Sequence, residues 1–200
     1  MTFSRPVAGR IGLFGGTFDP IHFGHLFLAE QARIDLRLDA ILFVPASIPP
    51  HKLDRTDIAS GHVRREMVES AISSNPSFSV TDIELVRSGP SYTVDTLLAL
   101  QEAISTADFT LLIGADNARE FGEWHEPEKI LDIADVAVWR RPGDQFEGDI
   151  FDGRPARIVD APLIEISSTE IRRRTMHGIS TRYFTTDEVR TMIEREGLYR

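Results

Sequence analysis

Residues 15–26 read Gly-Gly-Thr-Phe-Asp-Pro-Ile-His-Phe-Gly-His-Leu, and this stretch decides the fold. The apolar run at residues 11–14 predicts a short buried strand before it, and apolar residues at helical spacing over residues 26–36 predict a helix after it. Glycines let the backbone approach a ligand closely. A helix that begins at such a turn directs unpaired N–H groups and the positive end of its dipole at the turn. The order of strand, glycine turn and helix therefore predicts a phosphate site.

Two histidines, His22 and His25, stand three positions apart at the start of this predicted helix. Their rings should therefore project from nearly the same face, and Gly24 between them removes a side chain that would stand over the site. Neutral imidazoles can each donate an N–H to a phosphoryl oxygen. The alternative is an ordinary pair of half-buried histidines, but the flanking glycines and the Asp-Pro pair favour the phosphate interpretation. A zinc site needs further ligands in register, and none is evident, so the metal ligands are unknown at this point.

The composition limits the class of protein. Two hundred residues with 42% hydrophobic and 26% charged content fit a soluble α/β protein that buries about 70% of its unfolded surface. The sequence has no cysteine, which suits a reducing cytoplasm. No run reaches transmembrane length, and residues 1–10 lack the apolar core of a signal peptide. We therefore expect a cytoplasmic protein without a membrane partner, with a loose leader at residues 1–10 and a single domain over residues 11–200.

The net charge of −9 argues against a nucleic-acid partner, because such proteins normally carry a basic face. A phosphate site in such a chain needs local positive charge, and one candidate is the stretch His51-Lys52, which follows the second predicted strand. Ligands bind at the carboxyl edge of open parallel sheets, where this stretch should lie. A solvated turn is the alternative. Whether the chain forms a homo-oligomer stays open.

The rest of the chain alternates predicted strands and helices. Strands are expected at residues 40–45, 78–85 (one face exposed), 109–114, 136–139, 157–159 and 163–166. Helices are expected at residues 61–74, after a Ser91 cap, at 130–134, and after a capping box of Thr185 with Glu188. Residues 143–155 are polar and glycine-rich and predict a mobile surface loop. This alternation predicts a Rossmann-like, doubly wound, mainly parallel sheet.

Two further segments contain candidate ligand-binding residues. Trp124 follows polar and glycine residues, so its ring either covers the core or is available to stack on a heterocycle. Near the end, Ser167-Ser168-Thr169 stands at a predicted helix entry, where hydroxyl groups cap N–H groups and can also bind phosphate. Arg172 would bring a planar guanidinium to the same place. A plain capped surface helix is the alternative.

The first stretch resembles the first signature of the nucleotidyltransferase superfamily, and residues 166–172 match its second, Ile-Ser-Ser-Thr-x-Ile-Arg. Between the two signatures the chain carries four further motifs, Pro-Pro-His-Lys at 49–52, Ser-Tyr-Thr-Val-Asp-Thr-Leu at 91–97, Gly-Ala-Asp at 114–116 and Arg-Arg-Pro-Gly at 140–143. With these motifs in this order, nearly the whole chain is similar to the bacterial nicotinate-nucleotide adenylyltransferase family.

The resemblance implies a nucleotidyltransferase-type fold and a reaction of NAD biosynthesis. In that reaction AMP passes from ATP to nicotinate mononucleotide and pyrophosphate leaves, with a substrate-held Mg²⁺ expected. It implies three sets of residues: catalytic His22, His25 and Arg172; ATP-binding Gly15, Gly16, Thr17, Phe18, Lys52, Gly114, Asp116, Ser167, Ser168 and Thr169; and acceptor-binding Thr93, Trp124 and His125.

Two alternatives remain open. One is an adenylyltransferase with another acceptor, either nicotinamide mononucleotide or phosphopantetheine. The other is a non-catalytic nucleotide-binding regulator that kept the fold. Such a regulator would be expected to have lost His25 or Arg172, and both are present.

Overall fold

The computed structural model describes residues 1–47, 58–140, 142–162 and 164–200. The described strands are β1 (Arg10–Gly16), β2 (Ala40–Pro45), β3 (Phe78–Val80), β4 (Asp108–Gly114), β5 (Ala134–Arg140), β6 (Asp149–Phe151), β7 (Arg154–Pro155) and β8 (Arg157–Asp160). The described α-helices are α1 (Phe23–Asp35), α2 (Gly61–Ala71), α3 (Thr93–Ala103), α4 (Ala115–Arg119), α5 (Pro127–Ile133), α6 (Ser168–Met176) and α7 (Asp187–Arg195).

Six strands form one parallel sheet in the order β3-β2-β1-β4-β5-β8. Side chains alternate across a strand, so β1 places Leu13 on one face of the sheet and Phe14 on the other. One core layer packs the Phe14 face against α1, α2, α6 and α7, and the second packs the Leu13 face against α3 and α5. Helices on both faces of a parallel sheet confirm the predicted doubly wound, Rossmann-like α/β class.

The order of the strands fixes where ligands can bind. The sheet grows from β1 through β2 to β3 on one side, and the chain then returns to the other side of β1 to add β4. In open parallel sheets the crevice for a ligand lies at such a reversal, beyond the carboxyl ends of the two central strands. We therefore expect a ligand site beyond the carboxyl ends of β1 and β4.

The prediction of a loose leader is wrong for residues 2–5. Phe3 forms an antiparallel bridge with Thr81, and the Ser4 N–H donates to the carbonyl oxygen of Val80 at 2.9 Å. The Arg5 guanidinium donates to the carbonyl oxygen of Asn75 at 2.6 Å. These contacts cover the edge of β3, whose backbone N–H and C=O groups would otherwise be unpaired. They also explain why β3 is fully buried, although an exposed face was predicted for it.

Several predicted boundaries need correction. The strand predicted at 78–85 ends at Val80, because the chain turns where the Leu85 N–H bonds to the Asp82 carbonyl oxygen. The loop predicted at 143–155 contains the hairpin of β6 and β7, anchored by the buried side chains of Phe146 and Ile150. Residues 164–166 lie outside the strands, and among the described residues β8 is the last strand of the sheet.

Two predicted caps also need correction. Tyr92, not Ser91, is the N-cap of α3, and no side chain among the described residues caps it. Thr186 caps α7, because the Thr185 hydroxyl instead donates to the carbonyl oxygen of Ile21 at 2.7 Å. Within the described residues, no helix combines the length and apolar character needed to cross a membrane.

Candidate active site

Two pockets open where the sheet reverses, at the exits of β1 and β4. The first has a volume of about 470 Å³ and the second about 750 Å³. Thr17, Gly114 and Trp139 line both pockets, so the two adjoin at the carboxyl ends of β1, β4 and β5. Ligands in the two pockets could therefore meet and react.

The first pocket brings together residues from both ends of the chain. The predicted nucleotide and catalytic residues that line it are Thr17, His22, His25, Gly114, Asp116, Ser167, Ser168, Thr169 and Arg172. Gly15 and Gly16, predicted for ATP, line the second pocket instead. The predicted phosphate contact of Lys52 lies outside the described residues. The structure thus places both signatures, almost 150 residues apart in sequence, around one cavity.

Phe18 differs from the other predicted nucleotide residues. Its side chain is only 2% exposed and lines neither pocket. Its ring packs in the core, 5.4 Å from the Phe14 ring and 5.1 Å from the His25 ring between centroids. A Cβ on Gly16 would lie 2.9 Å from this ring, which explains why glycine is needed there. The Phe18 side chain therefore packs beneath the turn, in contact with Gly16 and His25, on the core side of the site.

The histidines form a reciprocal cap at the N-terminus of α1. The His25 N–H donates to Nδ1 of His22, and the His22 N–H donates to Nδ1 of His25, both at 3.3 Å. Their rings stack with 3.6 Å between centroids. A Cβ on Gly24 would come within 3.0 Å of the His22 ring, so a larger residue would disturb this stack. Two orphan amides of the helix are thereby satisfied by imidazole nitrogens.

This arrangement fixes the protonation of both rings. Burial lowers the pKa of His22 to about 4, and burial together with the neighbouring His22 lowers the pKa of His25 well below its ordinary value. Both imidazoles are therefore neutral at pH 7, as expected from the sequence. Because Nδ1 of each ring accepts a hydrogen bond, the single proton of each ring lies on Nε2. The first pocket thus gains two neutral N–H donors.

Arg172 and the entry of α6 form another part of the wall of the first pocket. Ser167 caps the helix by accepting from the Glu170 N–H at 3.2 Å, and the Ser168 hydroxyl donates to the carbonyl oxygen of Pro20 at 2.9 Å. Arg172 donates from Nη1 to the carbonyl oxygen of Asp19 at 2.7 Å and from Nη2 to Thr169 Oγ1 at 3.3 Å. The N-termini of α1 and α6 both reach this pocket, so two positive helix ends favour an anion there.

The charge of the first pocket is unbalanced. Arg172 is the only cationic side chain among the described residues that line it, against the carboxylates of Asp19, Asp116 and Asp144. Asp116 and Asp144 both pair with Arg119, at 3.2 and 2.5 Å. Charge stabilisation of a polyanion in this pocket therefore depends strongly on Arg172, on helix amides and on any cation that the ligand brings.

Aromatic side chains contribute to the lining of the second pocket. Thr93, Trp124 and His125, the three predicted acceptor residues, all line it. Trp124 is half-buried with its ring centroid 5.2 Å from that of Phe121, and the rings of Tyr92 and His125 lie 4.5 Å apart. The N-terminus of α3 opens here, and among the described residues no side chain caps the first-turn amides that a ligand could bind.

The sequence interpretation missed three residues around this site. Asp19, which belongs to the turn of residues 15–22 (the signature turn), is buried, and Arg64 and Tyr199 are buried or largely buried and contact this turn. Arg64 could have been found, because it occupies the same helix face as Met67 and Val68, where an apolar residue is expected. Its guanidinium donates to the carbonyl oxygens of Thr17, Ala46, Ser47 and Ala59.

The lowered histidine pKa values predict a pH-dependent stability. Between pH 6.5 and about 4 the unfolded chain protonates His22 while the folded chain does not, so the free energy of unfolding falls as the pH falls through this window. For His22 the loss amounts to about 3 kcal/mol. His22→Asn keeps a capping oxygen but cannot titrate, so its urea-unfolding free energy should fall less between pH 7.5 and 4.5 than that of the wild type. Parallel profiles would contradict the assignment.

Comparisons with known proteins agree with this geometry. Residues 13–174 match the model of the family described as cytidylyltransferase-like. A relative from Exiguobacterium sibiricum, named "Probable nicotinate-nucleotide adenylyltransferase", is 44% identical over 95% of this chain and 98% of its own length. A relative of the same name from Thermus thermophilus is 44% identical over 96% of this chain and 100% of its own length.

A solved structure shows the same fold at lower identity. Nicotinic acid mononucleotide adenylyltransferase from Plasmodium falciparum, solved in complex with NaAD, is 20% identical, covers 96% of this chain and 97% of its own, and superposes with a TM-score of 0.79. At this identity the likeness concerns the fold alone. The relatives share far more of the sequence over essentially the whole chain. The chain therefore belongs to the nicotinate-nucleotide adenylyltransferase family.

Proposed function

We propose that this protein transfers AMP from ATP to nicotinate mononucleotide, giving nicotinate adenine dinucleotide (deamido-NAD) and pyrophosphate. The observation that carries the proposal is the pair of adjoining pockets, one with two neutral imidazoles and two helix N-termini and the other with an aromatic lining, which meet at Thr17, Gly114 and Trp139. The names of the 44%-identical relatives support the same substrates. Segments from both ends of residues 11–200 line the first pocket, which supports one nucleotidyltransferase domain.

The reaction needs no nucleophilic side chain. A phosphate oxygen of the acceptor attacks the α-phosphorus of ATP and forms a new P–O bond. The bond from the α-phosphorus to the bridging oxygen of the β-phosphate breaks, and its electron pair leaves with pyrophosphate. The acceptor phosphate is already ionised at pH 7, so no general base is required. Catalysis then consists of alignment and of stabilising the charge that develops.

The first pocket supplies those contributions. The Nε2–H groups of His22 and His25 donate to phosphate oxygens close to the α-phosphorus, where negative charge increases in the transition state. Arg172 and the first turn of α6, including Ser168 and Thr169, hold the departing pyrophosphate unit. Gly114 and Asp116, at the exit of β4, contact the ribose of ATP. In the second pocket Trp124 stacks on the pyridine ring.

A magnesium ion fits this arrangement as part of the ATP complex. Among the described residues, no group of three or more histidine or acidic side chains could hold a metal ion. We therefore propose that phosphate oxygens and water hold most of the coordination shell, which is the usual preference of Mg²⁺. When bound, the ion neutralises phosphate charge in a pocket where Arg172 alone is cationic among the described lining residues.

The direct test is the stoichiometry of the reaction. The purified protein, ATP, Mg²⁺ and nicotinate mononucleotide should release pyrophosphate and form the dinucleotide in equal amounts. Phosphopantetheine in place of nicotinate mononucleotide should give no pyrophosphate above background. Activity with phosphopantetheine, or binding of ATP without turnover of any acceptor, would contradict the proposed function.

Arg172→Lys should impair turnover although the charge is kept. Lysine is a single point charge and cannot reproduce the two-pronged contact of a guanidinium with phosphate and with Asp19 and Thr169. We expect kcat/KM for ATP to fall by about 10-fold or more. Arg173→Lys is the matched control, because Arg173 is exposed and pairs only with Glu170 among the described residues. Unchanged kinetics of Arg172→Lys would reduce Arg172 to a structural role.

A further inference from the structure

The penultimate residue of the chain reaches the signature turn. After α7, Gly197 and Tyr199 adopt left-handed backbone conformations, with φ of 63° and 61°, and the chain folds back under the site. The Tyr199 hydroxyl donates to Oδ1 of Asp19 at 2.5 Å, across 180 residues of sequence. Asp19 is only 2% exposed and lines the first pocket. The proposed mechanism gives neither residue a task.

Asp19 connects three parts of the site. Its Oδ1 also accepts the N–H of Ala59 at 3.1 Å, and its carbonyl oxygen accepts Nη1 of Arg172 at 2.7 Å. Its Oδ2 lies 3.8 Å from the same Nη1 and has no hydrogen-bond partner among the described residues. Within the described residues, two donors on a single oxygen therefore orient the carboxylate, and Tyr199 is the only side chain that donates to it.

The Tyr199 phenol is a permanent donor. Burial and the adjacent Asp19 carboxylate raise its pKa far above the ordinary value, so the hydroxyl keeps its proton at any pH used for an assay. A short bond from a neutral phenol to a buried carboxylate is charge-assisted and stronger than a bond between two neutral groups. Its removal would leave an almost completely buried carboxylate with one donor fewer, which is costly.

We propose that Tyr199 is a positioning residue for the reaction: its hydroxyl fixes the Asp19 carboxylate, and Asp19 in turn holds Arg172 in the first pocket. The inference rests on the proposed function, since it takes Arg172 to contact ATP. The C-terminal segment is thus part of the catalytic scaffold, although Tyr199 itself lines neither pocket.

Tyr199→Phe tests the inference by removing only the hydroxyl and keeping the packed ring. We expect the Kd for ATP, measured by calorimetry, to rise about 10-fold and kcat/KM for ATP to fall by a similar factor, the size of one buried hydrogen bond. KM for nicotinate mononucleotide should stay within about twofold. Tyr183→Phe is the matched control, because Tyr183 is 80% exposed and lines neither pocket.

A double-mutant cycle separates positioning from simple stability. In the Arg172→Lys background, Tyr199→Phe should cost less than about twofold, because the contact through which it acts is already lost. Additive losses would overturn the inference. So would unchanged ATP affinity, or failure of Tyr199→Phe to fold at 25 °C, since one hydrogen bond should lower Tm by only about 2–6 °C.

The two proposals fail differently. Wild-type protein that turns over no acceptor would contradict the proposed function, while the ATP affinities of the wild type and Tyr199→Phe would still decide the role of Tyr199. An active wild type with a kinetically identical Tyr199→Phe variant would overturn the positioning role alone.

Discussion

Nicotinate mononucleotide should be used at least about 100-fold more efficiently than nicotinamide mononucleotide, compared as kcat/KM. The two acceptors differ only in a carboxylate against a carboxamide on the pyridine ring. With the ring on Trp124, this group would face the backbone N–H groups near His125 and near Thr93, where α3 begins and no described side chain caps the helix. A carboxylate only accepts hydrogen bonds, so it suits these backbone donors.

The carboxamide of nicotinamide mononucleotide should bind less tightly for two reasons. Its NH₂ group must face at least one backbone donor, which leaves a buried donor unpaired at a cost of about 1–3 kcal/mol. It also lacks the charge that strengthens the remaining bond and that the helix dipole favours. Sites built on polar complementarity of this kind discriminate by roughly 10⁴ or more, so a factor of 100 is a cautious expectation.

A variant of the α3 cap tests the origin of this preference. Tyr92→Ser introduces a hydroxyl that can cap the first-turn amides, so it should stabilise the helix and raise KM for nicotinate mononucleotide. Tyr92→Ala removes the same ring without adding a cap and is the matched control, because Tyr92 also contacts the His125 ring. Equal KM values for the two variants would show that the amides do not bind the acceptor. Near-equal kcat/KM for the two acceptors in the wild type would identify a dual-specificity enzyme.

His25→Ala should lower kcat by about 10²–10³ in a folded protein. We expect its neutral Nε2–H to donate where charge develops, and loss of one such preorganised donor costs about this much in comparable sites. The variant also loses the Nδ1 acceptor for the His22 N–H, so a modest decrease in Tm is expected. His62→Ala is the matched control, since the His62 side chain is 76% exposed and pairs with Glu66. An unchanged kcat, or a variant that does not fold, would contradict the catalytic role.

The sequence was most informative for structural features that depend only on residues close together in the chain. The strand, turn and helix of residues 11–36 follow from local periodicity, and the stacked rings of His22 and His25 follow from their spacing at a helix start. The same holds for Ser167 as the N-cap of α6. Predictions were wrong where a tertiary contact outweighed the local pattern. Phe3 covers the edge of β3, and the Thr185 hydroxyl donates to the Ile21 carbonyl oxygen and therefore does not form its predicted cap.

The amino-acid sequence by itself therefore determined the fold class, the family signatures and the residues of the two helix entries, because hydrophobic period, caps and glycine turns act over a few residues. Only the tertiary structure decided that Gly15 and Gly16 line the second pocket, that Phe18 lies in the core, and that Tyr199 reaches Asp19. The bonds that join the two signatures, from Ser168 to Pro20 and from Arg172 to Asp19, span 148 and 153 residues, and the bond from Tyr199 to Asp19 spans 180. Such contacts depend on the order in which strands enter the sheet, and no local pattern in the chain specifies them.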